Sequence, residues 1–304
     1  MPKLNKMNNY VIYEPLGKGE FTEVHKGRKK KSIEFVILKS FVKSQKERIF
    51  NEVKILSSLK HESVIGFNYW YETRNHYWAI YEYVCGGDMR KIIEKDTGMK
   101  EDSLRVIASQ LVEGLAFIHS QKVVFCDMKP SNIVFNEFAI PKYVDFASAR
   151  LEADLHNETT SDIFYTAPEV LSKAGPYSFK SDVFGLGVLL FELGKGIRPF
   201  TGSTAEELVA EIRERRIPKI EGYSDQFARL MEKMLEADPT ARASIEEVRN
   251  SPWMKRSETE KPKERLTEKF SDKLSVMTEK DSANQSKIMR SVVTDDADKK
   301  SVRS

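Results

Sequence analysis

A single change of hydrophobic period divides this chain and limits the folds open to it more than any other feature. From Tyr10 to about Val84 the apolar residues fall in short aromatic and β-branched runs, such as Tyr10 to Tyr13, Glu34 to Leu38 and Tyr77 to Val84, the signature of strands. One helical pattern interrupts them: Gln45 to Leu59 places Ile49, Val53, Leu56 and Leu59 at helical spacing among charged residues. From Ser103 helices take over, beginning with Leu104 to Ser120, where Leu104, Ile107, Leu111, Leu115 and Ile118 share one apolar face. Strands first and helices second predict an α+β fold.

The 304 residues correspond to two ordinary domains, or to one bilobal domain with a tail. With 40% apolar and 31% charged residues, wholesale disorder, collagen-like repeats and a disulfide scaffold are excluded. A net charge of +3 over this length gives no reason to expect nucleic acid or an anionic membrane as partner. Cys85 and Cys126 form no C-x-x-C pair, so a zinc site is not expected and a reducing compartment fits. The longest apolar stretch, Val183 to Gly194, is shorter than the roughly 20 residues that span a bilayer and reads as a buried helix. Residues 1–9 are polar and lack the apolar core of a signal peptide, so a cytoplasmic protein is expected. Residues 255–304 form a charged tail in which Leu266, Phe270, Leu274 and Met277 would make a narrow stripe if 264–278 were helical. A mostly unfolded tail is expected, with docking of that stripe as the alternative.

Leu16-Gly17-Lys18-Gly19-Glu20-Phe21-Thr22-Glu23-Val24 is a glycine-bearing turn between β-type residues, suited to lie over phosphates with its N–H groups exposed. Taken alone it favours a plain structural hairpin, because Thr22 stands where a third glycine would complete the motif. Order and spacing change that balance. Lys39 ends the run Val36-Ile37-Leu38-Lys39, and Glu52 follows on the predicted helix as its ion partner. Then come Phe125-Cys126-Asp127-Met128-Lys129-Pro130-Ser131-Asn132, Asp145-Phe146-Ala147 and Ala167-Pro168-Glu169.

This series resembles the ordered signatures of eukaryotic protein kinases over residues 10–254. The resemblance implies a bilobal fold, with a β-rich N-lobe at 10–84 carrying one main helix and a mostly helical C-lobe at 85–254. It implies ATP and magnesium as cofactors and a protein as substrate. Gly17, Gly19, Val24 and Val134 would surround the nucleotide, Glu82 and Val84 would form the hinge that receives adenine, and Asp88 would meet the ribose. Lys39 would hold the phosphates and Glu52 would fix Lys39. Asn132 and Asp145 would hold magnesium, Asp127 would take the substrate hydroxyl proton and Lys129 would neutralise the transferring group. Lysine at 129 resembles the serine/threonine type. Asp182 to Gly187 resembles the buried helix that anchors the catalytic loop, and Arg242 stands where the family pairs an arginine with Glu169.

The departures fall on supporting positions. Thr22 replaces a glycine, Ile37 a small alanine over adenine, Phe125-Cys126 a His-Arg pair, Ala147 the last glycine and Asp162 a threonine. Cys126 cannot pair with an activation-loop phosphate, which implies independence from that switch. Phe125 is expected to add apolar contact beneath Phe146, and Asp162 to crowd Asp127 with like charge. These features, with Trp70 to His76, resemble the unc-51-like branch, closest to its degenerate fourth member and related to Fused. That branch includes pseudokinases and is linked to cilia and microtubules, so a nucleotide-binding pseudokinase scaffold is the alternative to an active enzyme of modest rate. A binding module without nucleotide, its slot filled by Ile37, is a third reading.

Overall fold

The computed structural model describes residues 7–95, 98–154, 162–214, 217–219 and 221–255. The stripe from Leu266 to Met277 lies outside the described residues. Strands β1 (Tyr10–Lys18), β2 (Thr22–Lys29) and β3 (Phe35–Val42) lead into helix α1 (Lys46–Ser58), followed by β4 (Phe67–Glu72) and β5 (His76–Glu82). The five strands form one antiparallel sheet in the order β1-β2-β3-β5-β4.

The alternation of β3 sets up the site. Val36 and Leu38 pack with Tyr10 and Ile80 on one face, while Ile37, Lys39 and Phe41 point the other way, towards α1 and a cleft. On α1 the buried residues are Ile49, Glu52, Ile55 and Leu56. The expected stripe thus includes a carboxylate, buried because Lys39 and Tyr81 reach it.

The rest of the chain supplies α2 (Met89–Lys95), α3 (Glu101–Ser120), β6 (Val123–Val124), β7 (Ile133–Phe135), β8 (Pro141–Tyr143), β9 (Arg150–Leu151), α4 (Pro168–Leu171), α5 (Phe179–Lys195), α6 (Ala205–Arg213), α7 (Asp225–Met234) and α8 (Ile245–Arg249). All five predicted apolar residues of α3 are buried. The helix begins at Glu101, whose carboxylate accepts hydrogen bonds from Ser224 and the Trp253 indole, so distant contacts extend it beyond the apolar pattern. α5 is apolar nearly all round and correspondingly buried. A Ser178–Ser181 capping box starts it, and Gly196 ends it at φ 78°, a left-handed conformation that suits glycine. Among the described residues no helix is long and apolar enough to cross a membrane. The five-stranded sheet followed by a helical body is the bilobal α+β fold expected of the sequence.

Candidate functional site

Sheet and helical body meet at a cleft of about 390 Å³. Gly17, Val24 and Ile37 line it from the sheet, and Asp88 and Val134 from the helical body, with Val84 on the connection between them. Asp88 also accepts the Lys91 N–H at 3.1 Å and bridges to Val134, which fixes the start of α2 beside the opening. Gly19 and Glu82 do not line the cleft. Gly19 closes the β1–β2 turn by donating to the Thr22 carbonyl at 2.8 Å. The Glu82 carboxylate turns away, accepting the Gly66 N–H at 2.7 Å and pairing with Lys142 at 2.8 Å.

At the inner end, Lys39 Nζ donates to Asp145 Oδ1 at 2.8 Å and to Glu52 Oε2 at 3.2 Å. Burial opposes the charge on Lys39, but Asp145 and Glu52 prevail and hold its pKa above the ordinary lysine value. Burial likewise works against the Asp145 carboxylate, yet Lys39 wins and keeps it below the usual range. For Glu52 burial wins, and its carboxyl is raised. One ammonium therefore ties a strand, a helix and the segment after β8 into a single ion cluster.

The catalytic-loop candidates form a second cluster. Asp127 Oδ2 accepts from Lys129 Nζ at 2.7 Å and from Asn132 Nδ2 at 2.8 Å. Burial raises the Asp127 carboxyl above its ordinary value, with Lys129 pulling the other way. Beneath it, buried Asp182 on α5 accepts the Phe125 N–H at 2.7 Å, the Cys126 N–H at 2.9 Å and a bond with His119 Nε2 at 2.9 Å. These anchors hold Cys126 at φ 64°, a conformation costing a non-glycine residue about 1–2 kcal/mol. Asp145 adopts a similar φ of 60°, so both clusters rest on strained backbone.

The departures from the family pattern take definite forms. Neither Gly17 nor Gly19 has positive φ, and Thr22 simply opens β2 opposite Phe41, so the turn needs no third glycine for its backbone. Phe125 packs edge-on against Phe146 and Tyr143, with ring centroids 5.1 and 5.2 Å apart, which is the apolar contact expected of it. Cys126 is buried, its thiol pushed up by burial. Asp162, expected to crowd Asp127, caps the Phe164 N–H at 3.3 Å; Asp127 is raised first by burial and then by the like charge of Asp145. Tyr81, not singled out by its sequence context, lines the cleft and donates to Glu52 at 2.9 Å.

The donor set suits magnesium. Asn132 commits its amide nitrogen to Asp127, which leaves its oxygen, together with the Asp145 carboxylate, as hard donors. A carboxylate and an amide oxygen are hard donors of the kind that a magnesium ion can share with phosphate and water. Among the described residues no group of three or more His, Cys, Asp or Glu could cage a metal alone.

Comparison with known proteins agrees with this geometry. Residues 10–254 match the family model of the protein kinase domain. The chain is 39% identical over 241 residues to the Arabidopsis thaliana serine/threonine-protein kinase RUNKEL, covering 78% of this chain and 18% of that protein. It is 32% identical over 282 residues to the Mus musculus serine/threonine-protein kinase ULK4, covering 82% of this chain and 22% of the relative. With the Oryza sativa subsp. japonica CBL-interacting protein kinase 15 it shares 30% identity over 266 residues, 84% of this chain and 61% of that one. The chain thus spans about a fifth of the length of the first two relatives. A family match running through both halves of the cleft leaves no doubt about ancestry: this chain belongs to the protein kinase family.

Proposed function

We propose that the chain is a serine/threonine protein kinase that transfers the γ-phosphoryl group of ATP to a protein hydroxyl, with magnesium, independently of activation-loop phosphorylation. The observation that carries this reading is the assembled Lys39–Glu52–Asp145 cluster at the inner end of the cleft. Phosphoryl transfer needs positioning and electrostatics more than covalent chemistry, and the charged groups for both are present. Gly17, Val24, Val84, Asp88 and Val134 bound the nucleotide site, with Gly19 and Glu82 acting through the turn and the hinge backbone. Lys39 binds the α- and β-phosphates, held by Glu52. Asn132 and Asp145 hold magnesium, whose charge offsets that of the phosphates. Asp127 orients the substrate hydroxyl and receives its proton as the oxygen bonds to phosphorus and the bond to the β-phosphate oxygen breaks. Lys129, already beside Asp127, offsets the charge on the moving group. Cys126 supports the independence from phosphorylation, because a buried thiol offers no cation to a phosphate.

The test is transfer of labelled γ-phosphate to a generic protein substrate by purified chain. Asp127→Asn should lower the rate by at least about a hundredfold, the scale of a lost general base. Equal transfer by the variant would sink the proposal.

A second reading, a nucleotide-binding scaffold without turnover, is favoured by Ile37, whose branched side chain faces the cleft where the family places a small residue. ATP binding without measurable transfer would select it.

A further inference from the structure

Tyr81 has no chemical role in the reading above, yet its hydroxyl sits inside the ion cluster. β5 pairs with β3 so that Ala79 stands opposite Lys39 and Tyr81 opposite Ile37. Tyr81 therefore shares the face that looks towards α1. Its Oη donates to Glu52 Oε1 at 2.9 Å, while Lys39 Nζ takes Oε2. Each oxygen of this carboxylate has its own donor, and with Glu52 1% and Tyr81 4% exposed, water cannot readily replace either. Phe67 lies edge-on to the Tyr81 ring, centroids 6.0 Å apart, and restrains it. A separate bond pair ties the same turn of α1 to the segment after Asp145: Asn51 Nδ2 donates to the carbonyls of Ala147 at 3.2 Å and Ala149 at 2.8 Å.

Lys39 is shared between Glu52 and Asp145, which leaves its third N–H to offer a phosphate. We propose that Tyr81 is a positioning residue, whose hydroxyl holds Glu52 in the orientation that aims Lys39 and keeps it there when Lys39 engages the phosphates of bound nucleotide. This rests on the kinase reading and adds to it that the cluster is assembled from within, by the sheet and α1. A tyrosine buried only for packing would also need a hydroxyl partner. Dependence on Lys39 separates the two roles.

The experiment measures the affinity of the full chain for a fluorescent ATP analogue with magnesium in the parent, Tyr81→Phe, Lys39→Met and the double variant, with unliganded melting to verify folding. The hydroxyl bonds a charged group, so Tyr81→Phe should weaken binding about tenfold in the parent and less than about twofold further in Lys39→Met. If Lys39→Met does not fold, Glu52→Gln provides the second background, with the same loss of effect expected. Unchanged affinity in Tyr81→Phe, or an equal loss in both backgrounds, overturns the proposal and makes the hydroxyl a packing group. Phosphate transfer by the parent is measured alongside. Coupling without transfer defeats only the catalytic reading, transfer without coupling defeats only the role of Tyr81, and a parent that binds no nucleotide defeats both.

Discussion

Asp127 illustrates how one side chain sets the working range of such a site. In the proposed reaction it must be ionised to accept a proton, and burial has raised its pKa, so the form that reaction needs is lost as pH falls through a value above the ordinary aspartate range. Lys129 opposes that rise. Lys129→Met should therefore move the acid limb of the rate profile to higher pH and lower the plateau as well, which initial rates across the acidic range would reveal. Ile37 makes a different trade. Ile37→Ala should tighten ATP binding several-fold by widening the slot, at a stability cost of about 1–3 kcal/mol for lost packing, seen as a lower melting point and a larger shift with ATP. The pairing of Lys39 with Glu52 was legible in the sequence because a lysine ending a buried strand needs a carboxylate partner. Tyr81 was not, since a tyrosine in an aromatic strand is ordinary and its role exists only once α1 lies beside β5.

At the scale of elements, α5 is the member on which the catalytic loop depends. A Cβ on Gly185 would lie 2.8 Å from Met128 Cβ and 2.9 Å from the Tyr165 carbonyl, closer than real side chains approach. Gly185→Ala should cost about 1–3 kcal/mol and displace Met128, which stands between Asp127 and Lys129. Melting would show the stability loss, and transfer rates should fall further than nucleotide affinity does. The periodicity of α1 and α3 was readable because each buries an apolar face, and α5 was readable as a continuous apolar run because it is buried nearly all round. The start of α3 at Glu101 and the burial of Glu52 were not, because both depend on partners far away in the chain, Ser224 and Trp253 for one, Lys39 and Tyr81 for the other.

Across the whole molecule, Arg242 and Glu169 join the segment after α7 to α4 through paired bonds of 2.8 Å, with the guanidinium fully buried. Glu169→Gln leaves that charge uncompensated and should cost about 3–5 kcal/mol, while affinity for ATP below the transition stays within about twofold. Thermal melting with and without nucleotide checks both halves. The arginine and glutamate were recognisable as a pair from the family pattern, but the further bonds of Arg242 to the carbonyls of Lys180, Glu236 and Ala237 emerge only from the fold. Asp182 extends the same logic to time. Its carboxylate gathers the amides of Phe125 and Cys126 and the His119 ring into the most buried helix of the structure. These loop amides can meet solvent deuterium only when that helix lets go, so they should exchange as slowly as the interior of α5 while neighbouring surface loops exchange freely. A loop that by connection ought to be among the most labile parts of the chain thereby shares the lifetime of its core.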